Sequence, residues 1–200
     1  AVWHAAHYAV ARTCLEHNLH VLLEKPMTLL ASDARALTAL AREHKRELVI
    51  GYPWCFSPHA LRAKAVLQSG ALGEIRFIST TFSSFVIAFY RGEDHTYQPI
   101  FQYPVAGPGN VYSDPQRSGG GQGHLQVTHA AGLLFFLTGL KPLTVLALMD
   151  NLDVQVDVVD AMIARLENGA LASLGSTGTL RGGDPEKLIL QIHADHGWLD

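Results

Sequence analysis

Over about the first fifty residues, hydrophobic positions follow either a helical spacing or short continuous runs, and these patterns predict four elements. Apolar residues recur at helical spacing over residues 4–17 and 32–44, whereas short apolar runs at 21–23 and 48–52 are typical of strands buried on both faces. Because helix, strand, helix and strand follow through short links, they predict a parallel sheet with crossover helices, roughly half of a doubly wound domain. The face of the first helix is predicted to carry Ala6, Val10, Thr13 and Cys14.

From residue 53 onward the pattern changes, and we divide the chain there into domains at 1–52 and 53–200. Helices are predicted over residues 59–69 and, apolar almost all round, over residues 123–138. Strands are predicted over residues 74–82, 143–150, 162–167, 170–176 and 188–194. The Asn168-Gly169 pair predicts a type I′ hairpin turn between two of them.

Residues 84–118 show no periodicity, and an irregular segment of this length is usually functional or disordered. Its aromatic side chains indicate order and a pocket, where they could stack on the C–H groups of a sugar. They are Tyr90, Tyr97, Phe101, Tyr103 and Tyr112.

Charge and composition narrow the classes of partner. The net charge is −3 without a basic cluster, which favours neither nucleic acid nor an anionic membrane as partner. No apolar run approaches the roughly 20 residues of a membrane span. The charged fraction of 16% is low, which suggests a surface covered by another subunit or by further chain. Cys14 and Cys55 form no Cys-x-x-Cys pair, so we expect a reducing, cytoplasmic setting.

The 11 histidines raise the question of a metal site. Zinc takes three or four ligands, usually including cysteine or carboxylate, and no second pair stands at a matching spacing. We therefore expect no metal site. The three histidine pairs with two intervening residues are His4/His7, His17/His20 and His193/His196.

Glu24, Lys25 and Pro26 follow the first predicted strand directly. They would lie at its carboxyl end, where open α/β sheets bind ligands. Pro26 stops the strand and restricts Lys25 to an extended or turn conformation, so that its ammonium can point at one spot. The alternative is a solvated lysine just past a strand end, and the residues alone leave it open.

One face of the predicted helix over residues 123–138 combines polar and apolar side chains, and the position before the helix continues this face. At about 100° per residue, Gln122, Leu125, Gln126 and His129 share this face, while His124 points away. A lone histidine in such a helix is more often a satisfied core residue than a catalyst, and this alternative also stays open. Gln126, three residues before His129, could hold its imidazole by a hydrogen bond.

Five landmarks occur in a set order along the chain: His7, the run at 20–27, Gly51-Tyr52 with Phe56-x-Pro58, the run at 69–75, and the glycines from 119 to His129. Together they resemble the Gfo/Idh/MocA oxidoreductases over nearly all of the chain. The resemblance implies the C-terminal half of a Rossmann domain that binds NAD or NADP, followed by an α+β domain with a large, mostly antiparallel sheet. It also implies a phosphate loop upstream of Ala1, since the glycines at 119–123 follow a loop and not a strand.

The resemblance also assigns roles to residues. It makes His129 the acid/base histidine, yet the aspartate expected four residues earlier is Leu125, and an arginine of the family is replaced by Cys55. The predicted cofactor-binding residues are Trp3, His4, Glu24, Lys25, Pro26 and Trp54, with core packing left open as the alternative for Trp54. The predicted substrate-binding residues are Lys25, Gln126, His129, Tyr112 and Arg117. In the family the open sheet face often packs against a second subunit, so a homo-oligomer is expected.

These inferences lead to one hypothesis and one alternative. The hypothesis is an NAD(P)-dependent oxidoreductase acting on a sugar, polyol or cyclitol hydroxyl, with His129 as general base at an ordinary pKa near ~6.5 and Lys25 on the reacting oxygen. The alternative is a dinucleotide- or sugar-binding homologue without redox turnover, which Leu125 favours. Without the upstream loop, tight dinucleotide binding by residues 1–200 alone is not expected.

Overall fold

The structure is a computed structural model that describes residues 2–93, 95 and 111–200. In these ranges the helices are α1 (His7–Glu16), α2 (Ala31–Glu43), α3 (Pro58–Gln68), α4 (Ile87–Arg91), α5 (Pro115–Ser118), α6 (Gln122–Leu125) and α7 (Val127–Thr138), with 3₁₀ turns at His4–Ala6, Pro53–Phe56 and Val111–Ser113. The strands are β1 (Val21–Leu23), β2 (Leu48–Ile50), β3 (Ile75–Ser83), β4 (Pro142–Asp150), β5 (Val159–Leu166), β6 (Leu171–Thr177), β7 (Lys187–Ala194) and β8 (Gly197–Leu199). They form one sheet of β1 and β2 and a second sheet of the other six strands.

The small sheet is a strand–helix–strand unit. β1 and β2 lie parallel, with Val21 paired to Leu48 and Leu23 to Ile50, and α2 connects them. Helices α1 and α2 pack against each other and enclose a core with this sheet. The predicted partial doubly wound domain is confirmed. The buried core residues are Ala11, Leu15, Leu23, Leu37 and Ala41.

The prediction that the first strand is buried on both faces was wrong. Leu22 is 79% exposed, and its partner across the ladder, Val49, is exposed as well. Successive side chains of a strand point to opposite faces. The helices therefore cover the face of Val21 and Leu23, and the face of Leu22 has no cover in the part of the chain described.

The large sheet has the strand order β4-β5-β6-β3-β7-β8. β3 and β6 run parallel, and the four other neighbouring pairs are antiparallel. Helix α7 packs on β3, β6 and β7, and α3 packs on α7. The expected large, mostly antiparallel sheet is confirmed. Its buried core includes Ile78, Leu134, Leu137, Leu166 and Ile192.

The hairpin between β5 and β6 forms as predicted, but the turn type was wrong. A type I′ turn needs positive φ at both central residues. Gly169 has φ +87°, whereas Asn168 is absent from the residues with positive φ. The Leu166 N–H bonds to the Ala170 carbonyl at 2.9 Å, and the Gly169 N–H bonds back to Leu166. The loop is thus one residue longer than a two-residue turn, with glycine in the left-handed position.

The outer face of the large sheet is apolar and open. Phe77, Leu146, Ile163 and Leu171 are exposed on neighbouring strands, and they line a shared groove. β4 is exposed along its whole length. Exposed apolar area on this scale is typical of a surface that contacts another protein. The expected homo-oligomer stays a prediction.

The helix predicted over residues 123–138 is in fact two helices. α6 ends at Leu125 and α7 begins at Val127, with Gln126 between them at φ −120°, outside the usual φ range of an α-helix. Asp157 holds the segment that precedes the break: its carboxylate accepts the N–H groups of Gly121 and Gly123, and its carbonyl accepts that of Gln122. A single loop residue therefore fixes the start of α6.

A second acid, Asp160, lies beside this anchor on β5. It is 3% exposed and pairs across the sheet with Ser176. Burial raises the pKa of Asp160 to about 7, and the neighbouring Asp157 carboxylate adds to the rise. A carboxyl whose pKa is raised by folding stabilises the native state below its unfolded pKa, and that contribution is lost as the pH rises through about 7.

We therefore expect Asp160→Asn to raise thermal stability at about pH 8 and not at about pH 4. The amide keeps the size of the side chain, can donate to Asp157, and never ionises. The gain at the higher pH should be roughly 1–3 kcal/mol, or several degrees in Tm. Calorimetry across this pH range is the measurement, with the exposed Asp200→Asn as control. Equal Tm differences at both pH values would contradict the assignment.

Candidate active site

The Lys25 side chain joins the two sheets. It follows β1, the Lys25–Pro26 peptide is cis, and the Lys25 ammonium donates to the Leu125 carbonyl at 2.9 Å. This carbonyl is available because α6 ends at Leu125, where the helix breaks. The strand end of the small sheet and the helix break thus meet at one ammonium group.

Beside Lys25 lies a cavity of about 490 Å³, which we call the Lys25 cavity. Its polar lining comes from His4, His7, Glu24, Lys25, Tyr112 and Gln126. Its apolar lining comes from Val2, Val86, Phe89, Tyr90 and Leu125. A concave site with a few convergent polar groups among apolar ones is the usual form of a small-molecule site.

Burial partly removes the titratable side chains of the Lys25 cavity from water, and this shifts their pKa values. Burial lowers the pKa of Lys25, whereas Glu24 and Glu186 act in the opposite direction. The pKa of His4 is lowered to about 4, mainly by burial and further by His7, Lys25 and His124. The His4 ring is therefore neutral at physiological pH.

His129 lies on α7 and is only 9% exposed. The ring of Phe82 stacks on it at 5.6 Å, and that of Tyr52 meets it edge-on at 6.0 Å. Tyr52 is itself fixed by a 2.6 Å hydrogen bond between its hydroxyl and that of Thr128. Burial, and then the charge of Lys25, lower the pKa of His129 to about 4. The assumption of an ordinary histidine pKa was wrong.

His129 is absent from the lining of the Lys25 cavity, although the charge of Lys25 acts on its ring. Gln126 does line that cavity. Between these two residues the structure gives a backbone hydrogen bond, from the His129 N–H to the Gln126 carbonyl at 2.9 Å. Nδ1 of His129 is buried without a hydrogen-bond partner among the described residues. The Gln126 side chain therefore gives no hydrogen bond to this nitrogen.

Leu125 is an apolar core residue in this fold. It is 2% exposed and packs in a cluster with Val86, Tyr90, Val156 and Val158. A carboxylate at this position would lose its water among these side chains without a charged partner in the cluster. The Leu125 side chain thus packs in the core, and the Leu125 backbone carbonyl accepts the hydrogen bond from Lys25.

Several predicted site residues do not line the Lys25 cavity. Trp3 is exposed and has the Arg117 guanidinium 5.9 Å from its ring centre, and neither lines the Lys25 cavity. Trp54 is 42% exposed in a 3₁₀ turn and is likewise outside it. Pro26 lines a second cavity of about 520 Å³, which is largely apolar and lies against α7 and β4 to β6.

Of the predicted aromatic segment, Tyr90 and Tyr112 do line the Lys25 cavity. The His4 and Tyr112 rings pack 5.6 Å apart. The other three predicted aromatic residues lie outside the described residues: Tyr97, Phe101 and Tyr103.

Two residues have roles near the site that the sequence patterns did not assign to them. His7 is buried, and its ring nitrogens lie 2.8 Å from the Pro26 carbonyl and 3.3 Å from that of Val2, so it ties α1 to the turn after Lys25. Only its place in the family pattern pointed to it. Glu186, which acts on the charge of Lys25, stands 161 positions away in a connecting segment, and no motif marks it.

Within the described ranges, no three His, Cys, Asp or Glu side chains converge as metal ligands. No described helix combines the length and the apolarity needed to cross a membrane.

Comparison with known families matches both parts of the chain. Residues 1–52 match the oxidoreductase family with an NAD-binding Rossmann fold, and residues 60–200 match the GFO/IDH/MocA C-terminal domain. The chain belongs to the Gfo/Idh/MocA oxidoreductase family. The family and the fold class expected from the sequence are both confirmed.

Individual curated relatives share only about a third of their aligned residues with this chain, or fewer. A dTDP-3,4-didehydro-2,6-dideoxy-alpha-D-glucose 3-reductase from Saccharopolyspora spinosa is 28% identical over 80% of this chain and 43% of its own length. A 1-carboxy-3-chloro-3,4-dihydroxycyclohexa-1,5-diene dehydrogenase from Comamonas testosteroni is 33% identical over 46% of this chain and 23% of its own length. The chain thus spans less than half the length of these two curated relatives.

The fold is found in solved structures of the family. The inositol dehydrogenase homologue from Azotobacter vinelandii, solved with NAD⁺, superposes with a TM-score of 0.81 at 20% identity. The superposition covers 98% of this chain and 48% of that one. At this identity the match supports the fold and not the substrate.

Proposed function

We propose that the complete protein carrying this sequence is an NAD(P)-dependent oxidoreductase acting on a CH–OH group of a sugar, polyol or cyclitol. The observation that carries the proposal is the half-buried Lys25 ammonium lining a cavity at the carboxyl end of a Rossmann strand, where such sheets bind ligands. The Saccharopolyspora spinosa relative, a 3-reductase of a dTDP-linked sugar, supports this class of substrate.

The lining of the Lys25 cavity fits a nicotinamide. Nδ1 of His4 is buried without a hydrogen-bond partner among the described residues, and its ring is neutral. A neutral imidazole offers one hydrogen bond to an amide. We propose that His4 and Glu24, which line the cavity, border the nicotinamide end of the cofactor. Trp3 and Trp54 both lie outside the lining of this cavity.

When bound, the cofactor takes up the hydride that leaves the alcohol carbon. The Lys25 ammonium would donate a hydrogen bond to the alcohol oxygen and stabilise the negative charge that develops there. Gln126 and Tyr112 line the same cavity and would bind neighbouring hydroxyl groups. Arg117 lies against Trp3, at the edge of this arrangement.

His129 would accept the hydroxyl proton. Its imidazole is unprotonated at neutral pH, since its pKa is about 4. Because the ring lies outside the lining of the Lys25 cavity, we propose that one bridging water connects it to the alcohol.

The pH dependence of turnover tests this role. With complete protein, alcohol oxidation followed at about 340 nm should keep kcat/KM constant from about pH 8 down to about pH 5 and fall only as His129 becomes protonated. His129→Asn should lower kcat by roughly 10²-fold or more and remove this acidic limb. A limb between about pH 6 and 7 in the wild type would contradict the assignment. Cofactor binding without reduction by any sugar or polyol would contradict the proposed activity itself.

The open outer face of the large sheet fits a second copy of the chain. Its exposed apolar residues would then be buried in a homo-oligomer, and the low charged fraction of 16% agrees with that. A cytoplasmic location is proposed from the two free cysteines.

A further inference from the structure

Aromatic rings enclose the imidazole of His129. The ring of Phe82, from β3, stacks on it with centroids 5.6 Å apart and planes within 15° of parallel, and the ring of Tyr52 meets it edge-on at 6.0 Å. Nδ1 of His129 has no hydrogen-bond partner among the described residues. The orientation of the imidazole therefore depends on how these two rings are held.

The Tyr52 ring is held from the small sheet and from α7. Tyr52 comes two positions after β2, whose ladder is continued by a 2.8 Å hydrogen bond from the Gly51 N–H to the Leu23 carbonyl. The Tyr52 hydroxyl hydrogen-bonds the Thr128 hydroxyl on α7 at 2.6 Å. Tyr52 thus connects the carboxyl end of β2 to the helix that carries His129.

α7 has a glycine where the Tyr52 ring lies. A Cβ built on Gly132 would be 3.2 Å from Cγ of Tyr52 and 3.3 Å from both of its Cδ atoms. Thr128 and Gly132 are four residues apart and so share one face of the helix. The hydroxyl and the ring of Tyr52 therefore contact successive turns of α7, and the ring lies against the helix where a larger residue would push it away.

The two strands of the small sheet reach opposite sides of the same helix break. Lys25 follows β1 and donates to the Leu125 carbonyl at the end of α6. Tyr52 follows β2 and bonds to Thr128 in the first turn of α7. Because the ends of parallel strands lie at one edge of a sheet, this edge holds both Lys25 and the ring that packs on His129.

We propose that Tyr52 is a positioning residue that orients the His129 imidazole, in place of the aspartate that the family pattern has at position 125. The inference rests on the proposed function in taking His129 as the base. Tyr52 and Thr128 line the second cavity and not the Lys25 cavity, so Tyr52 acts through His129 and not on substrate. Of the charged groups described, Lys25 is the one that acts on the imidazole.

The direct test is the NMR spectrum of the His129 ring in the 200-residue chain, assigned with His129→Asn. Tyr52→Phe and Thr128→Val remove the same hydrogen bond from its two ends. Each should reduce the ring-current shift that Phe82 causes, and each should raise the pH at which His129 titrates by roughly half a unit to one unit, because the ring becomes more open to water. The double variant should do no more than either single variant, since one interaction is lost. Thr128→Ser keeps the hydroxyl and should leave the titration near that of wild type.

Gly132→Ala separates positioning from stability. Alanine is the better helix former, so Tm should stay within about 3 °C of wild type. The added Cβ should nevertheless displace the Tyr52 ring and change the His129 resonances. The control Tyr8→Phe removes a hydroxyl from a ring that packs on the core of the small sheet, and it should change neither the resonances nor the titration.

Activity gives a second arm. In the complete enzyme, Tyr52→Phe should lower kcat several-fold and move the acidic limb of kcat/KM upward by the same amount as the NMR titration, with KM for the dinucleotide within about twofold of wild type. If the resonances and the titration of His129 are unchanged in both Tyr52→Phe and Thr128→Val, the inference is overturned, even if activity falls. Because these spectra need neither cofactor nor turnover, an inactive wild type would count against the proposed function alone.

Discussion

Lys25→Met in the complete protein is expected to lower kcat by about 100-fold or more. The methionine keeps the length and much of the volume of the side chain, so the packing beside Leu125 is largely preserved. What is lost is the ammonium, which would otherwise hydrogen-bond the alcohol oxygen while its charge develops. An interaction made mainly in the transition state affects kcat more than KM for the cofactor. Steady-state kinetics with saturating dinucleotide is the measurement.

Lys141→Met is a matched control, since Lys141 is exposed next to the β5–β6 hairpin and has no part in the Lys25 cavity. Its kcat should stay within about twofold of wild type. Lys25→Met should also raise the pKa of His129, because the ammonium is one of the two causes that lower it. If Lys25→Met turned over within about threefold of wild type, Lys25 would have no catalytic role.

Most of the fold could be predicted because its signals are local. The helices and strands follow from periodicity, and the end of α3 at Gln68 lies within a residue of its predicted position. Local signals were less reliable for predicting which face of a helix is buried. The first helix buries His7, Ala11 and Leu15, not the predicted face with Val10. The reason is chemical: His7 counts as polar in a pattern, yet here both ring nitrogens lie at hydrogen-bond distance from backbone carbonyls.

The candidate site was predictable only where a strand end defines it. Lys25 follows directly from the apolar run before it, because a ligand site at the carboxyl end of a strand is a property of the topology. The surroundings of His129 depend on Phe82, whose ring stacks on the imidazole from β3. A contact over such a distance arises from the packing of α7 on β3, which no local pattern contains. The break at Gln126 was missed for a similar reason, since the anchor that holds α6 is Asp157.

That anchor makes Gly121→Ala the most destabilising substitution we expect. A Cβ at Gly121 would overlap the carbonyl oxygen of Asp157 and lie 2.9 Å from its backbone nitrogen. These are backbone atoms, so no side-chain rotation can relieve the overlap. Moving them would break the hydrogen bond from the Gln122 N–H to the Asp157 carbonyl, at 2.8 Å, and that from the Gly121 N–H to its carboxylate, at 2.9 Å.

The expected cost of Gly121→Ala is about 3 kcal/mol or more, equivalent to a Tm roughly 10 °C lower. Gly182→Ala is the control, because a Cβ there meets nothing within 4 Å among the described atoms, and its Tm should stay within about 2 °C of wild type. Since α6 presents the Leu125 carbonyl to Lys25, any folded fraction of Gly121→Ala should also show an altered Lys25 titration. A Tm within about 2 °C of wild type for Gly121→Ala would mean that the start of α6 is not held by Asp157.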